Sequence, residues 1–334
     1  MSVHLTKLQK QLCNALQDGL PICRKPYDDL ARYLNNDEET ILREIRGLKE
    51  SGVIRRICAL INSRALGLTG TLVAAHIPEE SLQEVAEAVN SLENVSHNYL
   101  RKHYYNLWFT LQAESPKQID VTVSNLSGRF GIDFYSLPVE RVFKLDVRFD
   151  AEGEGQLAGD IEQVPKSEAV KLNKMEKQIL SKLEGDMEVI SDPFDFLPAS
   201  TSERGECSKE LEIEKVLRII QGLIDKGVIR RIAAVVDHHK LGFVANVLFC
   251  SKVPRDRIVE AGEELAHFGA VTHCYQRGTI ENWPYNLYAM MHGKSMGEIQ
   301  RVINKYIEAE RIDSFELLPT ATELKKEPVK HRFN

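Results

Sequence analysis

No two cysteines in this chain are spaced as CxxC. The six present, Cys13, Cys23, Cys58, Cys207, Cys250 and Cys274, are scattered, which argues against a disulfide-stapled scaffold and a structural zinc site. They read as buried small residues of a reduced protein. Long apolar runs are lacking too: the longest, around Phe243 to Cys250, is far short of the roughly 20 residues needed to cross a bilayer. The N-terminus shows no basic stretch followed by an apolar signal core, so a cytoplasmic location with no membrane partner is expected. Positive charge is not in excess. With 43 Lys and Arg against 49 Asp and Glu, the net charge of −6 repels a polyphosphate backbone, and nucleic-acid binding would need a local basic face.

What is present is a chain of 334 residues, 43% hydrophobic, enough for two or three domains with real cores at about 150 residues each. The chain contains itself twice. Gly52-Val53-Ile54-Arg55-Arg56-Ile57-Cys58-Ala59 recurs as Gly227-Val228-Ile229-Arg230-Arg231-Ile232-Ala233-Ala234. Leu66-Gly67 matches Leu241-Gly242, and Val95-Ser96-His97-Asn98-Tyr99 matches Val271-Thr272-His273-Cys274-Tyr275. Arg101 falls on Arg277, and Tyr105-Asn106-Leu107-Trp108 on Tyr285-Asn286-Leu287-Tyr288. The second copy carries about four extra residues within Gly278 to Pro284.

Each copy has the same internal order. Leu5 to Leu16, Tyr27 to Leu34 and Glu38 to Ser51 place apolar residues at helical spacing, a helix-turn-helix pattern, and Val53 to Ile61 reads as a small wing. Thr69 to Ile77, Val95 to Leu100, Asn106 to Leu111 and Phe134 to Phe143 read as strands, with helices from Pro78 to Ser91 and Pro116 to Phe130. That order is βαββαβ, the ferredoxin-like arrangement of a four-stranded sheet with two helices on one face. The second copy repeats it with strands near Phe243 to Lys252, Val271 to Gln276, Tyr285 to Met291 and Ile312 to Leu318. The fold class is α+β, a tandem repeat of winged helix-turn-helix plus ferredoxin-like domain. The boundaries are 1–65 and 66–149 for the first copy, an acidic, glycine-bearing linker at 150–167, and 168–240 and 241–334 for the second.

A helix-turn-helix ending in GVIRR, followed after Leu-Gly by βαββαβ, resembles the Lrp/AsnC family of transcription regulators. DNA binding would rest on the recognition helices, and their charge argues against it. Asp37 to Ser51 balances at −2 and Ser208 to Lys226 at zero. The segment Ser191 to Gly205, with two prolines, also replaces the tight turn that docking requires.

The strings HNYLRKHYYNLWF (His97 to Phe109) and THCYQRGTIENWPYNLYAMMHG (Thr272 to Gly293) are more similar to a branch of that family, the siroheme decarboxylases. The first copy resembles the A- or D-type subunit and the second the B- or L-type, so the chain is a pseudo-heterodimer. Whether fused chains pair further is left open. The resemblance implies loss of carbon dioxide from the acetates at ring carbons 12 and 18 of siroheme, feeding heme or d1-type heme synthesis. Siroheme, an iron tetrapyrrole, is then the substrate, and no other cofactor or resident metal is implied. The alternatives are a regulator and a heme-binding sensor or carrier without turnover.

Losing carbon dioxide from an acetate leaves an electron pair on the methylene carbon, which the macrocycle can delocalise and a proton must quench. The protein has to supply an acid, cations for the carboxylates and a dry slot. His97 and His273 suit the acid role. Arg101 and Arg277 lie four residues on, at the same strand parity, with Tyr99 and Tyr275 between. These two His-Arg pairs are the candidate catalytic residues, and the second copy, with its richer loop, is expected to supply the main one. Further cations for a substrate with eight carboxylates are Arg55, Arg56, Arg230, Arg231 and Lys102, arginine being favoured for its planar fork. Trp108, Trp283, Tyr285 and Asn286 are candidates to line the slot or bond propionates, and His103 or one of the paired histidines to ligate the iron. His4, His76, His238, His239, His267 and His331 read as structural residues.

Overall fold

The structure, a computed structural model, describes residues 3–153, 169–195, 206–327 and 331, those of 206–212 as backbone only. The expected linker lies outside the described residues beyond Gly153, as do residues 196–205 of the segment between the second-copy helices.

Local signals set the first helices. A capping box of Thr6 and Gln9 opens α1 (Lys7–Asp18), Pro26 sits in the first turn of α2 (Pro26–Tyr33), and Asp37 caps α3 (Glu38–Glu50). Ile41, Ile45 and Leu48 of α3 are buried, as their spacing predicts. Gly52, at φ 69°, turns the chain into β1 (Ile54–Ile61).

Here the expectation of a local wing is corrected. Among the described residues β1 has no strand partner in its own copy; it pairs antiparallel with β6 (Ile229–Val236) of the other, from Ile54 opposite Val236 to Ile61 opposite Ile229. Each copy offers one strand, and the peptide groups of both are satisfied only across the repeat.

The second helix-turn-helix is also altered. It keeps α6 (Lys174–Leu183), capped by Asn173 and Glu176, and α7 (Glu206–Asp225), but residues 184–195 form no helix. They lie instead along the first copy. Lys49 Nζ is 2.8 Å from Asp186, Arg46 donates to the Val189 carbonyl at 2.7 Å, and Ser191 donates to Glu38 at 2.7 Å. Met187, Val189 and Phe194 join the core of α1–α3. This segment packs along α3 and engages two of its cations, Arg46 and Lys49.

The ferredoxin-like units follow. The first runs β2 (Thr69–Ala75), α4 (Leu82–Ser91), β3 (Val95–Arg101), β4 (Leu107–Ala113), α5 (Pro116–Phe130) and β5 (Phe134–Leu145). The second runs β7 (Ala245–Ser251), α8 (Ile258–His267), β8 (Val271–Arg277), β9 (Leu287–Gly293), α9 (Met296–Glu310) and β10 (Phe315–Lys326). Strand orders are β3-β4-β2-β5 and β8-β9-β7-β10. The two sheets are not separate, as four-stranded units would be: they close into one eight-stranded barrel through β5 with β8 and β10 with β3.

The last strands do this by being 12 residues long where the other barrel strands have seven. Phe134 to Pro138 pairs with β2 and Val139 to Leu145 with β8. In the same way Phe315 to Pro319 pairs with β7, and Thr320 to Lys326 with β3. A proline stands at each changeover, Pro138 and Pro319, where a missing N–H is tolerated. Both strands therefore run beyond the shorter spans read from sequence.

Apolar packing divides by face. The outer face of each sheet packs on its own two helices, the inner faces meet inside the barrel, and the helical regions share a fourth core with the β1–β6 ribbon. The copies also interlock outside the barrel. Phe143 of β5 packs on Gly262 of α8, where an added Cβ would come within 2.4 Å of its ring, and Lys144 donates to the Ala266 and Phe268 carbonyls at the end of α8. Because Phe143 is itself buried, Gly262→Ala is expected to destabilise the chain by about 1–3 kcal/mol in chemical unfolding. Pairing it with Phe143→Leu should recover part of that loss.

Candidate active site

Strand parity sorts the side chains of β3 and β8. Asn98 bonds Asn90 of α4 and Cys274 contacts the Gly262 carbonyl of α8, so these face the helices. Their alternates, His97, Tyr99 and Arg101 with His273, Tyr275 and Arg277, face the barrel interior. The structure thus brings both expected His-Arg pairs to one space, one pair from each copy.

The arginines lie deepest. Arg101 donates from Nη1 to the Leu318 carbonyl at 2.6 Å and to Thr320 Oγ1 at 3.1 Å. Arg277 donates to the Leu137 carbonyl at 3.0 Å and stacks over Tyr275 and Tyr288, 4.8 and 5.8 Å from their centroids. No carboxylate in the described residues pairs with either, and the Nε of each is buried without a hydrogen bond. Burial lowers the Arg101 pKa to about 10 and moves Arg277 in the same direction. Two desolvated guanidinium groups without a counter-ion make the interior a site for anions.

Below them the barrel is plugged. Trp108, Tyr288 and Trp283 are fully buried, Trp108 and Trp283 are 5.4 Å apart, and Trp283 Nε1 donates to the Tyr288 hydroxyl at 2.8 Å. Trp108 and Trp283 therefore build the floor, and Trp283 also borders a groove on its outer side.

Above the arginines, His97 and His273 are half-buried near the other mouth, opposite Lys326 and Leu145 in the strand register. Ser96 Oγ lies 2.8 Å from Nδ1 of His97, and Thr272 Oγ1 lies 3.0 Å from Nδ1 of His273, leaving each Nε2 for the interior. Burial holds His97 down at about 4, with Lys326 and Arg55 adding to it. Burial likewise holds His273 at about 3, helped by His97, Arg230 and Arg277. Both are neutral imidazoles at cellular pH. The β1–β6 ribbon lies at this mouth: Arg230 donates to the Leu145 carbonyl at 2.7 Å, and Arg55 is exposed within electrostatic reach of His97 and Tyr99.

The remaining expected residues lie elsewhere. Arg231 is bound to Asp146, which Arg148 also holds, and Arg56 is half-buried beside Cys58. Asn286 spends both ends of its amide on the backbone of Val253, at 2.8 and 2.9 Å, and Asn106 does the same to Ile77. The repeated Tyr-Asn-Leu is thus a clamp on the end of the neighbouring strand, a requirement of the fold. Lys102, His103 and Tyr285 sit at the hairpin end beyond the floor. His103 and Tyr285 border an outer groove of about 600 Å³ there, and Lys102 is exposed.

Three residues near the histidines, Lys326, Arg64 and His292, were not among the candidates read from sequence, and a fourth, His238, was read as structural. Lys326 and Arg64 act electrostatically on His97 and on Tyr275 and Arg277, respectively. His292 and His238 are buried beside His273 and Lys326. Parity on β9, with Tyr288 and Met290 already facing inward, was the available signal for His292.

An unfolded histidine takes up a proton near pH 6.5, whereas folded His97 and His273 do not until about pH 4 and about 3. Stability from this source is complete above pH 6.5 and falls as the pH drops through that window, because the unfolded chain binds more protons. Urea midpoints should fall between pH 7.5 and 5. The slope should flatten in a double His97→Gln, His273→Gln variant.

Comparisons with known proteins bear on this site. A family model described as "AsnC-like ligand binding domain" matches residues 65–144 and 240–325, and one described as "Siroheme decarboxylase NirDL-like HTH domain" matches residues 9–55. The chain is 34% identical over 324 residues to a siroheme decarboxylase of Hydrogenobacter thermophilus, covering 96% of this chain and 94% of that protein. Its likeness to the alpha subunit of the siroheme decarboxylase of Desulfovibrio desulfuricans is 35% over 145 residues, which is 43% of this chain and 84% of the subunit. Among solved structures, the siroheme decarboxylase NirDL in complex with an iron-uroporphyrin III analogue superposes with a TM-score of 0.69 at 31% identity, over 98% of this chain and 95% of that one.

Proposed function

The chain belongs to the siroheme decarboxylases, a branch of the AsnC-like family, with two related halves joined in one chain, and from that premise we propose that its barrel removes carbon dioxide from the acetates at ring carbons 12 and 18 of siroheme. The single observation that carries this reading is the meeting of His97 and Arg101 with His273 and Arg277 inside one closed barrel.

Binding follows from charge. A chain of net charge −6 has to offset its own repulsion of a polycarboxylate locally, and it concentrates cations at this mouth: Arg55, Arg64, Arg230 and Lys326 above, Arg101 and Arg277 within. The buried guanidinium groups suit carboxylates because each keeps donors unspent in a region of low dielectric. The carboxylates thereby gain the partners that the arginines lack within the chain.

Chemistry follows from the histidines. As the bond to the carboxylate carbon breaks, its electron pair passes to the methylene carbon and is delocalised by the macrocycle, and an N–H of a neutral imidazole supplies the proton. A neutral imidazole is a suitable donor where the developing negative charge is strongly basic. The step is non-oxidative, and each acetate consumes one proton and releases one carbon dioxide. The macrocycle is its own electron sink, so no further cofactor is required.

Incubated with siroheme without oxygen, the purified chain should yield a product lighter by two carbon dioxide units. His273→Ala should lower the rate about 10²- to 10⁴-fold, and His97→Ala less. Mass spectrometry of the tetrapyrrole and captured carbon dioxide measure both, and equal losses would contradict a leading role for the second copy.

A further inference from the structure

The two catalytic histidines are not wired alike. In the first copy, Ser96 Oγ joins His97 to Thr110 Oγ1 at 2.8 Å. In the second, Thr272 Oγ1 joins His273 to Nδ1 of a further imidazole, His292, at 3.2 Å. His292 Nε2 lies 3.1 Å from Asn246 Nδ2, Thr320 Oγ1 donates to Asn246 Oδ1 at 2.7 Å, and Arg101 donates to Thr320 Oγ1 at 3.1 Å. One chain of hydrogen bonds thus runs from Arg101 of the first copy to His273 of the second. At the corresponding positions of the first copy, Gly70 and Gln112 stand where the second has Asn246 and His292.

The direction of this chain is fixed by its ends. Arg101 can only donate, so Thr320 gives its own hydrogen to Asn246 Oδ1, and the Asn246 amide gives one to His292 Nε2. His292 then carries its hydrogen on Nδ1 and donates to Thr272 Oγ1. The Thr272 hydrogen is left for His273 Nδ1 or the Met290 carbonyl, 3.2 Å away.

On its other side His292 leads outward. The ring of His238 meets it edge to face at 5.0 Å, His238 packs at 4.1 Å on His239, and His239 is exposed. His238 is buried, with Lys326 Nζ 3.4 Å from its Nδ1 and no hydrogen bond at its Nε2. The titratable and charged groups acting on His292 include His238, His273, Lys326 and His239. No group of three or more His, Cys, Asp or Glu among the described residues is arranged to hold a metal ion.

We propose that Thr272 and His292 form a proton relay that resupplies His273 from the His238–His239 side of the barrel wall, so that the second copy turns over faster than the first. The proposal rests on the decarboxylase reading, in which a large substrate fills the mouth just as protons are needed there. As His273 Nε2 gives its proton to the methylene carbon, the Thr272 hydroxyl passes one to Nδ1 and takes one from Nδ1 of His292, and His292, its Nε2 still held by the Asn246 amide, takes the replacement proton at Nδ1 by way of the His238 side. The balance is one external proton consumed for each carbon dioxide released, with no charge left on His273. Reorientation of the hydroxyl and the rings resets the relay for the second acetate.

The experiment uses the full chain and siroheme, with iron-uroporphyrin as a binding probe followed by its Soret band. Thr272→Val keeps shape and both rings but removes the relaying oxygen. It should cut turnover about tenfold to a hundredfold with probe affinity within twofold of the unaltered chain. The rate against deuterium fraction should change from a curve, which reports several protons in flight, to a straight line. Thr272→Ser, with the hydroxyl found at Ser96, should recover most of the lost turnover, and His292→Asn should reproduce the loss. Unchanged turnover and curvature in Thr272→Val, or a fall in turnover that merely tracks probe affinity, would overturn the relay. Failure of the unaltered chain to release carbon dioxide would sink the decarboxylase reading itself, and is seen before any variant is made.

Discussion

Two strands that are too long for their own sheets hold this molecule together. β5 and β10 each pair with a neighbour in their own copy for half their length and with the other copy for the rest, and the proline at each midpoint marks the change of partner. Every other feature of the interior depends on this exchange. Without it each sheet would expose an edge of unpaired peptide groups and an inner face bearing a buried arginine. With it, both edges are satisfied and the two inner faces enclose one space.

Enclosure is also what gives the polar residues their chemistry. Arg101 and Arg277 are held on backbone carbonyls with part of each guanidinium unsatisfied, and His97 and His273 are kept neutral, because the barrel wall removes them from bulk water. Exposed on an open sheet, the same four side chains would be ordinary surface residues. The aromatic floor matters for the same reason: Trp108, Trp283 and Tyr288 stop water from crossing the barrel, so carboxylate and cation can meet in a medium of low dielectric.

The helical region contributes to the mouth of the barrel. Residues 186–194 lie over α3 and engage Arg46 and Lys49, and β1 pairs with β6 at the mouth of the barrel, bringing Arg55 and Arg230 there. The extra loop at Gly278 to Pro284 is structural. It inserts Trp283 into the floor and lies at the end of the barrel away from His273, so the difference between copies that bears on catalysis is found in Asn246 and His292.

Much of this was legible in the sequence. The duplication, the βαββαβ order, the helix spacing of Ile41, Ile45 and Leu48, and the shared parity of His97 with Arg101 and His273 with Arg277 are all local or periodic properties, and strand and helix geometry convert them directly into faces. Which strand pairs with which is not local. The partner of β1, the closure of the barrel, the diversion of Asn286 to the Val253 backbone and the convergence of Thr272, His292 and Asn246 each join residues far apart in the chain or in separate copies. Such contacts depend on which buried groups are left without partners once the local elements have formed, and only the packed chain resolves that competition.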